Sequence, residues 1–160
     1  MEINVEATTI KPQTTARYLG VIFDNKLNWG SHIKDIESRL ASRINLLRFL
    51  SRYCADAEPN IKILLNLFKS LVRTIITYGS YILLTANDNV WERLQITQNK
   101  ALRAALGMPF YTSVDYIHQL RNMPKIEIYA TVLLKQAIST VKNYKDKISE
   151  ENLMHIFSLI

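Results

Sequence analysis

The side chains that most often catalyse reactions or bind metals are few in this 160-residue sequence and lie far apart. The chain has one cysteine, Cys54, which excludes an internal disulfide and a zinc site built from several thiolates. Its histidines, His32, His118 and His155, lack the spacing that places two imidazoles on one face of a helix. The sequence therefore predicts no metal centre ligated by cysteine or histidine.

Carboxylates and glycines lead to the same expectation. Asp24, Asp56 and Asp88 fall in separate predicted loops, so they do not form the carboxylate pair that holds Mg²⁺ for phosphoryl transfer. The four glycines are isolated and do not form a phosphate-binding loop. We predict no catalytic residue, no metal site and no cofactor in this chain, which is therefore expected not to be an enzyme as it stands.

Basic residues are the one group that points to a partner. Lysine and arginine total 20 against 14 acidic residues, which gives a net charge of +6 and a pI near 9.5. This balance favours binding to phosphates, but arginine stems that cover a core with their heads in water would give the same composition. Both interpretations stay open. The excess lies mainly on two predicted helices, as Arg39, Arg43, Arg48, Arg52, Arg93, Lys100 and Arg103.

The elements that must position these side chains follow from two hydrophobic periods. Up to Phe23 apolar residues alternate with polar ones, which predicts one β-hairpin whose strands, near residues 3–5 and 19–23, are joined by a long polar loop. From Ser31 onward the period is 3.6, which predicts helices, with Ser31 as the first N-cap.

Five helices and a tail are expected in the second part of the chain. The segment from Pro59 to residue 84 is apolar nearly all round, which predicts the buried central helix. Asn87 and its neighbours offer an N-cap for a helix over about residues 90–106, with Gly107 as its C-cap. Further helices are predicted over 114–120 and 125–144, with an amphipathic tail over 150–160. The predicted fold is mainly α, a helical bundle preceded by a small β-hairpin.

No segment reaches the roughly 18 apolar residues that a membrane span requires, and the N-terminus lacks the apolar core of a signal peptide. We therefore expect no membrane partner and an intracellular protein, nuclear or cytoplasmic and not secreted.

Four segments share their pattern with one protein family. Residues 17–33, RYLGVIFDNKLNWGSHI, resemble the Tyr-Leu-Gly-Val…Trp…His-Ile signature of non-LTR retrotransposon reverse transcriptases, the jockey-like group especially. The resemblance continues in order through KSLVR at 69–73, Tyr-Gly-Ser at 78–80 and LQITQNKALR at 94–103, closed by Gly107. The matches spread over about residues 3–127.

This resemblance implies a place within an RNA-directed DNA polymerase. Residues 1–28 would form the hairpin at the end of the palm, called the primer grip, and residues 29–160 the α-helical thumb and connector. The catalytic aspartates and their Mg²⁺ would belong to the missing fingers and palm, which the resemblance implies as partners.

Site residues follow from the same resemblance. Tyr18, Leu19 and Gly20 match the hairpin tip that touches the primer's 3′ end. Arg39 and Arg43 match the thumb helix that lies along the template–primer duplex, and Lys100 and Arg103 complete the nucleic-acid-binding set. We expect Trp29 and His32 to pin the hairpin to the thumb, and Gln98, Asn99 and Arg103 to form a buried hydrogen-bond network.

Three functions remain in competition. The first is a non-catalytic thumb fragment that positions an RNA–DNA hybrid, or another nucleic acid, through its backbone and independently of sequence. The second is a relic or repurposed helical module for protein–protein contact, with self-association through the hairpin. Sequence-specific DNA binding is disfavoured, because no predicted helix clusters Arg, Asn and Gln on one exposed face.

Overall fold

A computed structural model describes residues 3–5, 8–10, 13–54, 58–83 and 86–157, and side chains are described for 13–53, 60–83 and 86–144. The fold is mainly α with small β elements in front, which confirms the predicted class. In chain order the elements are β1 (Ile3–Val5), β2 (Thr8–Ile10), β3 (Thr15–Tyr18), β4 (Val21–Asp24), α1 (Gly30–Cys54), α2 (Glu58–Phe68), a π-helical segment (Lys69–Arg73), α3 (Thr74–Thr77), α4 (Ser80–Leu83), α5 (Asp88–Ala105), α6 (Val114–Leu120) and α7 (Ile126–Phe157).

The strands form two separate antiparallel hairpins, so the single hairpin with a long connection was wrong. β1 pairs with β2 from Ile3 opposite Ile10, and β3 pairs with β4 from Thr15 opposite Asp24. The second hairpin turns through Leu19 and Gly20, both at positive φ (46° and 81°), as a two-residue type I′ turn requires. A tight local turn brings neighbouring strands together at less entropic cost than a long loop, and the alternating pattern is the same in both arrangements.

The start of α1 is set by Asp24 rather than by the predicted N-cap Ser31, which lies inside the helix. One carboxylate oxygen of Asp24 accepts the N–H groups of Lys26 and Asn28 at 3.1 and 3.0 Å, and the other accepts that of Trp29 at 2.8 Å. These bonds, led by that of Asn28, lower the pKa of Asp24, although partial burial opposes them. The Trp29 carbonyl then accepts the Ile33 N–H as the first helical bond.

The central helix is α5, not the segment between Pro59 and residue 84. Leu94, Ala101, Leu102 and Ala105 of α5 are completely buried between α1 and α2. The earlier segment instead leaves Ile63, Tyr78, Tyr81 and Ile82 at 39–57% exposure. Its apolar residues exceed what the core can cover, which a hydrophobicity pattern does not show.

The termini of α5 and the extent of α6 agree with the sequence. The Asn87 side chain accepts the Val90 N–H, and Gly107 at φ 66° ends the helix while the Met108 N–H returns to the Arg103 carbonyl. The predicted helix over 125–144 and the tail are one helix, α7, since no residue between 144 and 150 breaks it. Residues 11–12 of the expected polar loop, residue 84 at the end of the expected central helix and residues 158–160 of the expected tail lie outside the described part of the chain.

Candidate nucleic-acid interface

Four cationic side chains line a groove between the C-terminal halves of α1 and α5. Arg48 and Arg52 enter it from α1, one helical turn apart, and Lys100 and Arg103 enter it from α5. The groove encloses about 570 Å³, and its lining contains no acidic side chain. Ser51, Ala104, Gly107, Met108, Pro109 and Phe110 form the rest of the lining.

The charges of this basic groove are not neutralised by ion pairs. Within residues 13–53, 60–83 and 86–144, none of its four cations contacts a carboxylate at ion-pair distance. Arg48 instead donates to the Asn45 side-chain oxygen at 3.0 Å. Four uncompensated cations around one cleft produce a positive potential there, which attracts phosphate or another anion.

A rigid turn closes one end of the basic groove. The Thr112 N–H donates to the Pro109 carbonyl at 3.1 Å, so Phe110 and Tyr111 are the two central residues of a β-turn. Arg103 donates from Nε at 3.1 Å and from Nη2 at 2.7 Å to the Thr112 carbonyl. Arg103 therefore both lines the groove and fixes the turn, through hydrogen bonds of the kind expected for it.

The hairpin tip lies at a different place, beside the junction of α3 and α4. Tyr18 and Leu19 are 68% and 72% exposed, and the Tyr78 hydroxyl donates to the Leu19 carbonyl at 2.7 Å. A Cβ added at Gly20 would lie 3.3 Å from the Tyr78 ring, so the glycine allows this close approach. The cleft around the tip is mainly apolar, and Tyr81, Ile82 and Leu133 are among the residues that line it.

The two predicted arginines on α1 are on a third surface. Arg39 lies 3.5 Å from Asp35, which also pairs with Arg17 at 2.6 Å, and Arg43 donates to the Arg39 carbonyl at 2.5 Å. Arg39 is nine residues from Arg48, a half-turn around the helix, so these arginines face away from the basic groove. The structure thus brings Lys100 and Arg103 together and leaves the hairpin tip and the Arg39–Arg43 pair apart from them.

Trp29 and His32 join the second hairpin to α1, as expected. Trp29 is 3% exposed and its ring meets that of Phe23 edge to face at 5.5 Å. His32 is 1% exposed and its Nδ1 accepts the Ile22 N–H at 3.4 Å. Burial lowers the pKa of His32, and Arg39 and Arg17 act in the same direction while Asp35 opposes them.

The polar residues of the LQITQNKALR motif form the expected buried network behind the basic groove. Gln98 is completely buried and donates to the Pro124 carbonyl at 3.1 Å. Asn99 Oδ1 lies 2.8 Å from both Gln95 Nε2 and His118 Nε2, while Gln95 Oε1 accepts the Ile126 N–H at 2.9 Å. These bonds connect α5 to α6 and to the start of α7, and so fix the position of Lys100 and Arg103.

Arg48 and Arg52 are the groove residues that the sequence did not single out as a site. Both belong to the basic excess, but they lie on the opposite flank of α1 from Arg39 and Arg43, so the sequence alone indicated positive charge spread around the helix. Their partner cations come from α5, some 50 residues later, and only the packing of α1 against α5 brings the four together. The i, i+4 spacing of Arg48 and Arg52 indicates two cations on one face of a helix, but it does not identify the helix that forms the opposite wall of the groove.

Among the described residues, no group of three or more His, Cys, Asp or Glu side chains lies close enough to hold a metal ion. None of the described helices combines the length and apolar character that crossing a membrane requires.

The structure is thus a helical bundle with a basic groove. Comparison with known proteins shows which proteins this chain resembles in sequence. The chain is 27% identical over 125 residues to the probable RNA-directed DNA polymerase from transposon BS, and 24% identical over 124 residues to the RNA-directed DNA polymerase from mobile element jockey, both of Drosophila melanogaster. A third relative, the probable RNA-directed DNA polymerase from transposon X-element of the same fly, is 25% identical over 117 residues.

These alignments confirm the resemblance to reverse transcriptases of non-LTR elements. They cover 73–78% of this chain but only 13–14% of the relatives, so the chain corresponds to a small segment of such polymerases. No family model and no solved structure matches the chain.

Proposed function

We propose that this chain is the thumb and connector segment of a non-LTR retrotransposon reverse transcriptase, and that it holds nucleic acid by its phosphates. The observation that carries the proposal is the meeting of Arg48, Arg52, Lys100 and Arg103 in one groove, with no acidic side chain among the described residues that line it. The similarity to three RNA-directed DNA polymerases supplies the class of ligand.

The groove favours recognition of the backbone over recognition of bases. Its charged groups are long side chains on two helices that converge on one cleft, and such contacts position a nucleic acid without reading its sequence. The buried network behind α5 keeps that wall in place, so the helix that carries Lys100 and Arg103 does not have to be ordered when the ligand binds. We place template–primer positioning here, and phosphoryl transfer with its Mg²⁺ in the fingers and palm of the parent polymerase.

A salt titration tests this proposal directly. Neutralising Z phosphates makes log K fall with log salt at a slope of about −0.9Z, so four cations predict a slope of about −3.6 and a loss of about a hundredfold between roughly 50 and 200 mM salt. The measurement is fluorescence anisotropy with a labelled RNA–DNA hybrid. The double substitution Arg52→Gln and Lys100→Gln should reduce the slope by about 1.8.

A charge-matched control separates the groove from the net charge of the protein. Lys135→Gln and Lys142→Gln remove two exposed cations from α7, which does not line the basic groove. This variant should keep the slope of the unmodified chain. No binding at low salt, or an equal effect of both double variants, would overturn the proposal.

The protein–protein alternative is favoured by one observation, the exposed apolar surface around the hairpin tip. Tyr18, Leu19, Tyr78 and Tyr81 are 45–72% exposed there. If the chain self-associates through this surface, its mass in light scattering should rise with concentration, and Leu19→Asp should restore a monomer. A monomer at all concentrations would exclude self-association.

A further inference from the structure

Two exposed aromatic rings at the mouth of the basic groove are not explained by contacts to the phosphate backbone. Phe110 is 87% exposed and lines the groove, and the adjacent Tyr111 is 77% exposed. Their ring centroids are 5.5 Å apart at an interplanar angle of 80°. A T-shaped pair packs the edge of one ring on the face of the other, so the remaining ring faces stay open to a ligand.

The turn that carries these rings holds them in place without burying them. Both are central residues of the β-turn closed by Thr112 and Pro109, and Arg103 fixes that turn through two bonds to the Thr112 carbonyl. Large aromatic side chains exposed on a fixed turn contribute little to the core. They are ready to bind, because few degrees of freedom must be lost when a ligand packs on them.

A second aromatic pair follows the two arginines of α1. Phe49 and Tyr53 are one position along from Arg48 and Arg52, are 56% and 75% exposed, and have ring centroids 4.9 Å apart. This pair lies about 100° around α1 from the two arginines, beside the groove, whereas Phe110 is in the groove lining together with Arg48, Arg52 and Lys100. Cations beside exposed rings are typical of single-stranded nucleic-acid sites, where the cations follow the backbone and the bases stack on the rings.

We propose that the basic groove binds an unpaired strand, with a base stacked on the Phe110–Tyr111 pair and the adjoining phosphates on Arg48, Arg52 and Lys100. This second proposal rests on the proposed function. It specifies that the groove binds the single-stranded extension of the template–primer. A cleft of about 570 Å³ has the size of a small-molecule site and accepts a nucleotide. In a duplex both faces of each internal base are already stacked, so its bases are not free to pack on the rings.

The test compares a blunt RNA–DNA hybrid with the same hybrid carrying a single-stranded extension of about six nucleotides, a typical size for one such site. The extension should raise the affinity of the full chain about fivefold to a hundredfold, the range that one stacked base supplies. Phe110→Ala with Tyr111→Ala should abolish this gain, so that the variant binds the blunt hybrid and the extended hybrid with equal affinity. A 2-aminopurine in the extension should lose fluorescence on binding to the unmodified chain and keep it with the double variant.

Two further variants control for surface effects. Phe110→Leu keeps an apolar side chain but removes the ring, and should lose the quenching of 2-aminopurine. Tyr144→Ala removes a ring that is 67% exposed on α7, away from the groove, and should change neither readout.

The outcomes separate the two proposals. The single-strand site would be overturned if the extension adds no affinity, or if the aromatic double variant lowers the affinity for both hybrids equally. Neither result would contradict the proposed phosphate contacts in the groove. Failure of both hybrids to bind at low salt would overturn the proposed function itself.

Discussion

Replacing Gly79 by alanine should destabilise the whole domain, although the position is on the surface side of the α3–α4 junction. Gly79 has φ 72°, and Tyr78 before it is extended, so the chain reverses direction there and directs the Tyr78 hydroxyl onto the hairpin tip. A Cβ at this position would lie 3.0 Å from Cγ2 of Val21, a tight contact that requires Val21 to move by a few tenths of an ångström. Val21 is 4% exposed and β-branched, so it has little freedom to move away.

The size of the effect follows from two terms. A left-handed conformation costs a non-glycine residue about 1–2 kcal/mol, and forcing an extra methyl group into a packed site costs about 1–3 kcal/mol. We expect a loss of about 2–5 kcal/mol in the free energy of unfolding, which for a domain of this size lowers Tm by about 4–20 °C.

Urea denaturation followed by circular dichroism measures this difference, and an unchanged m-value shows that both proteins unfold in the same way. Gly30→Ala is the matched control, because Gly30 begins α1 and a Cβ there would meet nothing within 4 Å. That variant should change stability by less than about 0.5 kcal/mol or increase it slightly. A Gly79→Ala protein as stable as the Gly30→Ala protein would refute the argument from backbone geometry.

Two further predictions concern titratable groups at the hairpin. Folding lowers the pKa of His32, so below the ordinary value of 6.5 the unfolded chain binds more protons than the folded chain. The contribution of His32 to the free energy of unfolding is therefore complete above pH 6.5 and is lost as the pH falls below that value. The urea midpoint should therefore decrease from pH 7.5 towards 5, and a His32→Leu variant that keeps the same pH slope would contradict this assignment. Asp24→Asn should lower the urea midpoint at pH 7, because an amide has one acceptor oxygen whereas the carboxylate uses two. An unchanged midpoint would show that the loop between β4 and α1 does not depend on this carboxylate. The lowered pKa of Asp24 implies stability that is present above pH 3.8 and lost as pH falls below it, a window separate from that of His32.

Much of the local structure could be predicted because it depends on neighbouring residues. The Asn87 cap, the Gly107 end and the limits of α6 each depend on side chains within a few positions of the helix end. The start of α1 was predicted wrongly because the first helical bond is accepted by the Trp29 carbonyl, and Trp29 is held by Asp24 across the loop, five positions earlier. The division into two hairpins was missed because period-two alternation does not state which strand pairs with which.

The candidate site was predicted only in part, for a similar reason. Trp29, His32, Gln98 and Asn99 received correct structural roles, since buried polar and aromatic groups need partners. Seven nucleic-acid-binding residues were expected as one set, yet the fold distributes them over three surfaces. Sequence similarity assigns residues to a motif, but it does not say which motifs are adjacent in space.

The sequence by itself determined that the chain is mainly helical, that its basic excess lies on two helices, and that its pattern resembles the reverse transcriptases of non-LTR elements. The tertiary structure alone decided that Arg48 and Arg52 share a cleft with Lys100 and Arg103, and that Phe110 and Tyr111 stand at its mouth. The physical reason is that helix formation and capping are local, whereas a groove is made by two helix faces whose contact depends on how the whole core packs.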